Sequence, residues 1–366
     1  MNPLILVTLL LTLVLAGVNG GNDVSKGVAT LAGAGITRYR TAILWGAATT
    51  LLGSLLSLTL AARMVSLFST GIVAAPPTPS FTVAVLLGAI AWVGIATLTR
   101  LPVSTTHAIV GALIGAGIQL APGAIHWGVL FGGVAVPLLA SVAISYLLST
   151  TGLGLLSVAV PECICVGVMA SSPITVDTSS AAAVTSGVSL PVIDVTTGTE
   201  TACRVHRRNA TRFGITVTRA HWLTSGTTSF ARGLNDTPKI VAIGALGGPA
   251  LGVDPWLLLI GVSIAMAVGG LLGGVRVARV LGEKVVHMSH TEGFKANVTT
   301  ALLVGIGANL GLPMSTTHVA TGAIAGVAGT KVVRLNQRLL RDFALVWTLT
   351  PLVAGLVAAG VLALVR

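Results

Sequence analysis

The sequence predicts an all-α polytopic membrane protein: two inverted-topology repeats of about five transmembrane helices each, with broken or re-entrant helices meeting at a central site. Three observations carry that prediction. The 366-residue chain is 54% hydrophobic and only 8% charged, with a mean hydropathy of +0.95, whereas about a quarter of the residues of a soluble domain are charged. One polar signature, Asn-Asp-x-x-Lys, occurs at Asn22-Asp23 and again at Asn235-Asp236, and each copy is followed by Ser-Thr-Thr-His, at Ser104 and at Ser315. The two spacings, 104 − 22 = 82 and 315 − 235 = 80, are nearly equal. The chain is therefore an internal duplication.

At about 20 residues per span, apolar segments fall at 3–19, 41–60, 82–99, 103–120 and 127–149, then at 213–231, 255–274, 296–312, 314–329 and 343–363. That is ten expected spans, five per half. Five is odd, so the second copy is expected to enter the bilayer upside down relative to the first, as inverted-repeat transporters do. The first apolar run has no basic flank and leads straight into Gly20-Gly21-Asn22-Asp23, which reads as a span rather than a cleaved leader. The organisation expected is a first repeat at 1–150, a polar central cytoplasmic segment at 151–211 and a second repeat at 212–366. In the centre, alternating Val and Thr around 174–197 permit short strands, and Arg204-Val205-His206-Arg207-Arg208 reads as a topology determinant. Cys163, Cys165 and Cys203 are an odd number without metal-site spacing, and reduced thiols are expected.

A net charge of +11 would ordinarily suggest an anionic macromolecule, but here the basic residues follow the membrane. Three of the 21 Lys and Arg (Lys26, Arg232, Lys239) lie in or beside the motifs, leaving 18. With both termini outside the cell membrane, 16 of these 18 fall on the cytoplasmic side and Arg63 and Arg366 do not, in keeping with the positive-inside rule. Nucleic acid is not an expected partner.

The motifs point to small-ion chemistry. Ionisable groups within a bilayer are costly and mark functional sites, and this cluster is present twice. Asp23 and Asp236 with Asn22 and Asn235 are hard oxygen ligands suited to Na⁺, and an Asp can also carry a transported proton. The bland alternative pairs each Asp with the Lys three residues on, Lys26 or Lys239. Gly20, Gly21 and Gly27 in one copy, and Gly233 and Pro238 in the other, are expected to interrupt their helices. Ser104, Thr105 and Thr106, like Ser315, Thr316 and Thr317, stand where a helix begins after a Pro, so hydroxyls and the positive end of a helix dipole invite an anion. Simple N-capping by Ser104 and Ser315 is the competing explanation. His107 and His318 are candidates for a proton relay. An intramembrane hydrolase with a Ser or Thr nucleophile fits poorly, because a twofold site has no unique nucleophile and the nucleophile-elbow pattern is absent from the sequence. No enzyme activity is expected.

These residues, with their order and spacing, resemble the inorganic phosphate transporter (PiT) family, which carries a Gly-x-Asn-Asp-x-x-Asn-type signature and a Ser-Thr-Thr-His segment in each half. The resemblance covers residues 1–150 and 212–366. It implies a phosphate symporter without a cofactor, Na⁺ or H⁺ being the co-transported ion. By position it makes Asn22, Asp23, Asn235 and Asp236 cation and substrate ligands, with Na⁺ at Asp23 and Asp236, and the six Ser and Thr phosphate ligands. One departure stands out: Lys26 and Lys239 replace the second Asn of the signature, exchanging an oxygen ligand for a cation that can itself hold phosphate. A sulfate permease of the same fold is the alternative; an anion channel gains nothing from carboxylates in its path. The expected partners are phosphate or sulfate and the lipid bilayer, and a homo-oligomer is left open.

Overall fold

The computed structural model describes residues 3–74, 78–152, 163–170, 191–199, 201, 211–246, 254–329 and 334–365. The chain divides into two compact units, one of Met1–Leu155 with His221–Arg366 and one of Leu156–Ala220. The first half contributes α1 (Pro3–Asp23), α2 (Ser25–Gly33), α3 (Tyr39–Leu55), α4 (Pro79–Leu98), α5 (Thr105–Leu120) and α6 (Val136–Leu147). From the second half come α7 (Val217–Ala245), α8 (Pro255–Arg279), α9 (His290–Leu310), α10 (Thr316–Gly326) and α11 (Gln337–Val365). Single π-helical stretches at Val129–Ala135 and Leu148–Gly152 flank α6, and another at Val280–Lys284 follows α8.

The smaller unit is a three-stranded antiparallel sheet of β1 (Cys163–Ala170), β2 (Pro191–Gly198) and β3 (Thr211–Thr216), in the order β2-β1-β3. Strands are thus present in the centre, though only β2 falls near the expected stretch; residues 171–190 and the basic run at 204–208 lie outside the described residues. Cys163 is disulfide-bonded, which corrects the expectation of reduced thiols. Its burial on β1 holds the sulfur in one place, whereas spacing alone says nothing about which sulfurs meet.

Ten spans were expected; among the described residues five helical stretches are long and apolar enough to cross a bilayer, at Ile5–Gly33, Pro79–Leu98, Val129–Thr151, Pro255–Lys284 and Gln337–Val365. The remaining expected spans are helical but short or polar. Helices α3, α5 and α10 have 17, 16 and 11 residues, and α7 carries Arg219, Arg232, Asp236 and Lys239. The physical reason is coverage: a helix that stops at a protein-lined polar centre need not present about 20 apolar residues to lipid. Outward-facing Leu98, Leu272, Leu356 and Leu364 are all more than 70% exposed, a surface that suits acyl chains rather than water.

The two halves interlock. Helix α1 packs most extensively on α8, α5 on α11 and α10 on α6, each pairing one half with the other. Glycine makes these approaches close. A Cβ on Gly269 would collide with the carbonyl of Gly17, and one on Gly111 or Gly115 would meet the backbone of Pro351 or Gly355. Neither Asn-Asp copy interrupts its helix as expected: at Val24, between α1 and α2, the backbone stays helical (φ −57°, ψ −29°) and Val24 N still donates to Gly20 O at 3.1 Å, with Gly20, Gly21 and Gly27 inside the two helices, and α7 runs through Pro238 unbroken. A proline removes one i→i−4 bond, and the buried packing of α7 holds the helix through it. Gly233 serves contact rather than breakage, since a Cβ there would press on Thr50 and Ser54.

The start of α9 is closed by a capping box in which Ser289 Oγ accepts from Glu292 N and Ser289 N donates to Glu292. Arg334 adds a two-pronged pair to the same carboxylate, at 2.7 and 3.2 Å. Burial pushes the Glu292 carboxyl up, but the hydrogen bonds from Arg334 and the Ser289 backbone outweigh it and hold the group below its usual range. A depressed carboxylate stabilises the fold above its unfolded pKa of about 4.3, and that contribution is lost as pH falls through the lower folded value. Glu292→Gln is expected to lower stability by roughly 1 kcal/mol at pH 7 and by progressively less towards pH 4, as measured by thermal unfolding in detergent across pH.

Candidate functional site

Two short extended stretches, at 101–104 and 312–315, deliver the Ser-Thr-Thr-His segments to the centre of the larger unit. There α5 and α10 begin, each capped by its Ser: Ser104 Oγ accepts from His107 N at 3.3 Å, and Ser315 Oγ from His318 N at 3.2 Å. The first-turn N–H groups of both helices remain outside the helical ladder. Both dipoles therefore present their positive ends to the same region.

The Asn-Asp motifs clasp these stretches in matching ways. Asn22 Oδ1 accepts from Val103 N at 3.2 Å, and Asn235 Oδ1 accepts from Met314 N at 3.3 Å. Asn22 Nδ2 also donates to Thr97 Oγ1 and Leu101 O, whereas Asn235 Nδ2 donates to Met314 O and Asp236 Oδ1. Lys26 Nζ lies among three oxygens, those of Asp23, Asn22 Oδ1 at 2.9 Å and Val103 O at 3.2 Å. Its counterpart Lys239 Nζ lies among Asp236 Oδ1 at 3.4 Å, Met314 O at 3.2 Å and Thr106 Oγ1 at 2.7 Å. Each ammonium thus sits in a cage of hard oxygens.

Across the two halves the threonines close the cluster. Thr316 Oγ1 donates to Asp23 Oδ2 at 3.2 Å, Thr317 Oγ1 to Val103 O at 2.6 Å and Thr106 Oγ1 to Met314 O at 3.3 Å. Asn19 Nδ2 bridges Thr105 Oγ1 at 2.9 Å and Asp236 Oδ2 at 3.4 Å. All of the Asn, Asp, Lys, Ser and Thr residues singled out in the sequence are buried; their hydrogen bonds form two clusters, one around Asp23 and one around Asp236, each crossing between the halves, and the Ser104 and Ser315 hydroxyls cap the two helices that begin there. The two His rings lie beside them, 4.6 Å apart between centroids, with Trp347 4.1 Å beyond His318. Trp347 is pinned in turn by its indole N–H donating to Pro102 O at 3.2 Å. His107 Nδ1 and His318 Nε2 have no hydrogen-bond partner.

Both Asp–Lys pairs exist, and Ser104 and Ser315 are N-caps, so the bland readings hold as local descriptions. They do not account for the convergence of the two pairs and the two caps. Three further buried residues were absent from the sequence-derived site: Asn19 and Arg232, which lie at this cluster, and Asn297 on α9, which is joined to α7 through Thr228. Arg232 is 1% exposed, and none of its three side-chain nitrogens has a hydrogen-bond partner. Asn297 on α9 likewise has an unpartnered amide nitrogen. The duplication held a signal for two of them, since 232 − 19 = 213 is the offset that relates Asn22 to Asn235. A groove of about 600 Å³ between α1, α4 and α8 is lined mainly by apolar side chains and glycines and adjoins this cluster at Thr97, which accepts from Asn22. Among the described residues no group of three or more His, Cys, Asp or Glu could hold a metal ion.

Residues 19–358 match the phosphate transporter family. A Pyrococcus abyssi protein named as a phosphate permease is 28% identical over 98% of this chain and 97% of its own length. A Rhizobium meliloti protein named as a low-affinity inorganic phosphate transporter is 25% identical over 98% of this chain and 95% of its own. A solved structure titled the sodium-dependent phosphate transporter superposes with a TM-score of 0.69 at 22% identity, covering 99% of this chain and 98% of that one, a likeness of fold.

Proposed function

This chain belongs to the phosphate transporter family, and from that premise we propose that it is a secondary active importer of inorganic phosphate, a symporter driven by Na⁺ or H⁺ and built from two inverted repeats. The observation that supports the reading is the meeting of both Asn-Asp-x-x-Lys motifs and both Ser-Thr-Thr-His caps at one buried polar centre, in two hydrogen-bonded clusters that each cross between the halves. Phosphate is held by the hydroxyls of Ser104, Thr105, Thr106, Ser315, Thr316 and Thr317, by Asn22 and Asn235, and by the ammonium groups of Lys26 and Lys239. The carboxylates of Asp23 and Asp236 take part in coupling, because a cation beside the oxyanion offsets the cost of burying it in a low dielectric. One half moves against the other to expose the site to each side in turn. The excess of Lys and Arg on one side of the expected ten-span arrangement supports an orientation with both termini outside the cell membrane and residues 151–211 in the cytoplasm.

Purified protein in liposomes, given labelled phosphate under separately imposed Na⁺ and pH gradients, tests substrate and driving ion together. Accumulation above the phosphate gradient under one of the two is expected; uptake that never exceeds it points to a passive pore. The close pair His107 and His318 is the proton-carrying element of this reading. Exchanging both for Gln is expected to remove the pH-driven component without touching any Na⁺-driven one. Excess sulfate in the same assay separates a phosphate carrier, whose uptake persists, from a sulfate permease, whose labelled phosphate is displaced.

A further inference from the structure

The ionisable groups of the cluster do not balance. Lys26, Lys239 and Arg232 are buried cations, each 1% exposed, and they face two buried carboxylates, Asp23 and Asp236. Both lysines have oxygen partners within the protein. Arg232 does not: its guanidinium keeps every nitrogen unpartnered, although Asp23 and Asp236 lie within electrostatic reach. A buried charge without a partner is severely penalised, so a protein that retains one has a use for it.

The position of Arg232 says what the use is. Along the duplication it is the counterpart of Asn19, whose amide already sits in the middle of the network, touching Thr105 and Asp236. On α7 it is one turn before Asp236, and one turn after Thr228, whose hydroxyl donates to the backbone carbonyl of Asn297 at 3.0 Å. The unpartnered amide nitrogen of Asn297 is therefore close to the same stretch of α7. An unspent guanidinium at a polar centre calls for an acceptor-rich anion, and its fork matches two oxygens of a tetrahedral oxyanion at once.

We propose that Arg232 is a direct oxyanion ligand of this carrier, and that the tethered ammonium groups of Lys26 and Lys239 stand where Na⁺ would otherwise be needed, so that the anion binds without sodium. The inference rests on the transport reading above and narrows it. With one positive charge in excess, the cluster is neutralised by a monoanion. Phosphate can supply one by keeping a second proton, while a dianion such as sulfate overshoots by one charge. The coupled ion is then a proton, travelling with the anion or on it.

The test is equilibrium binding of labelled inorganic phosphate to the purified full chain, in buffers whose salt is either sodium or choline chloride. Wild-type affinity is expected to agree within about twofold between the two salts, whereas a gain of tenfold or more with sodium overturns the tethered-cation part. Arg232→Gln is expected to weaken binding at least about 30-fold, with Arg232→Lys recovering part of it, because the charge returns without the fork. Wild-type affinity in folded Arg232→Gln overturns the ligand assignment. Should that variant fail to fold, Arg232→Lys decides: affinity equal to wild type shows that the fork makes no contact. Failure of the wild type to bind phosphate in either salt sinks the transport reading itself, a different outcome from either of these.

Discussion

Asp23→Asn and Asp236→Asn, made singly, are each expected to cut phosphate accumulation in liposomes at least about 100-fold, which is a loss of about 2.7 kcal/mol at 1.36 kcal/mol per tenfold. The carboxylate of Asp23 is joined to Lys26 of its own half and Thr316 of the other, and Asp236 is joined to Lys239, Asn235 and Asn19. Neutralising either strands a buried ammonium, and breaking a buried pair costs about 3–5 kcal/mol. Lost uptake could therefore reflect lost fold. Pairing Asp23→Asn with Lys26→Met separates the two, since removing both charges is expected to restore most of the thermal stability while uptake stays absent. Folded single variants with undiminished accumulation would remove the carboxylates from the mechanism.

Gly269→Val is the change expected to damage the fold most. Its Cβ would lie 2.7 Å from Gly17 Cα and collide with the Gly17 carbonyl, at the seam where α1 of one half packs on α8 of the other. Overpacking by side chains costs about 1–3 kcal/mol because rotamers can give way; here the neighbour is backbone, so the upper end of that range or beyond is expected. Gly111→Val, against the backbone of Pro351 on the α5–α11 seam, should behave alike. Gly360→Val, with nothing within 4 Å, is the control for valine's own effect in a helix. A fall in the thermal unfolding midpoint of the first two but not the third is the expected pattern; equal midpoints for all three would show that the seams yield.

Much of this site was legible before any coordinates. Duplication picked out Asn22, Asp23, Lys26 and the Ser-Thr-Thr-His run in both copies, since an expensive polar cluster maintained twice is hard to attribute to chance. The same offset could have led to Asn19 and Arg232, but an Asn matched to an Arg is not a repeated letter, and similarity of position was hidden by difference in chemistry. Segment lengths were less legible for a related reason. Hydropathy windows read α5 and α10 as spans, when both begin at the polar centre. Pro238 was taken for a break because the i→i−4 rule is local, while the integrity of α7 is decided by everything packed around it.

By itself, then, the chain of letters determined membrane residence, repetition and the kinds of group that serve the centre, because these follow from composition, period and offset, which are properties of neighbours along the chain. Tertiary structure alone decided which groups meet. Thr316 reaches Asp23 across 293 positions of sequence, and Lys239 reaches Thr106 across 133. Such contacts arise from helices brought together along glycine seams, and no local pattern encodes the distance between two side chains on different helices. For the same reason the unpaired guanidinium of Arg232 could be recognised only once its surroundings were known.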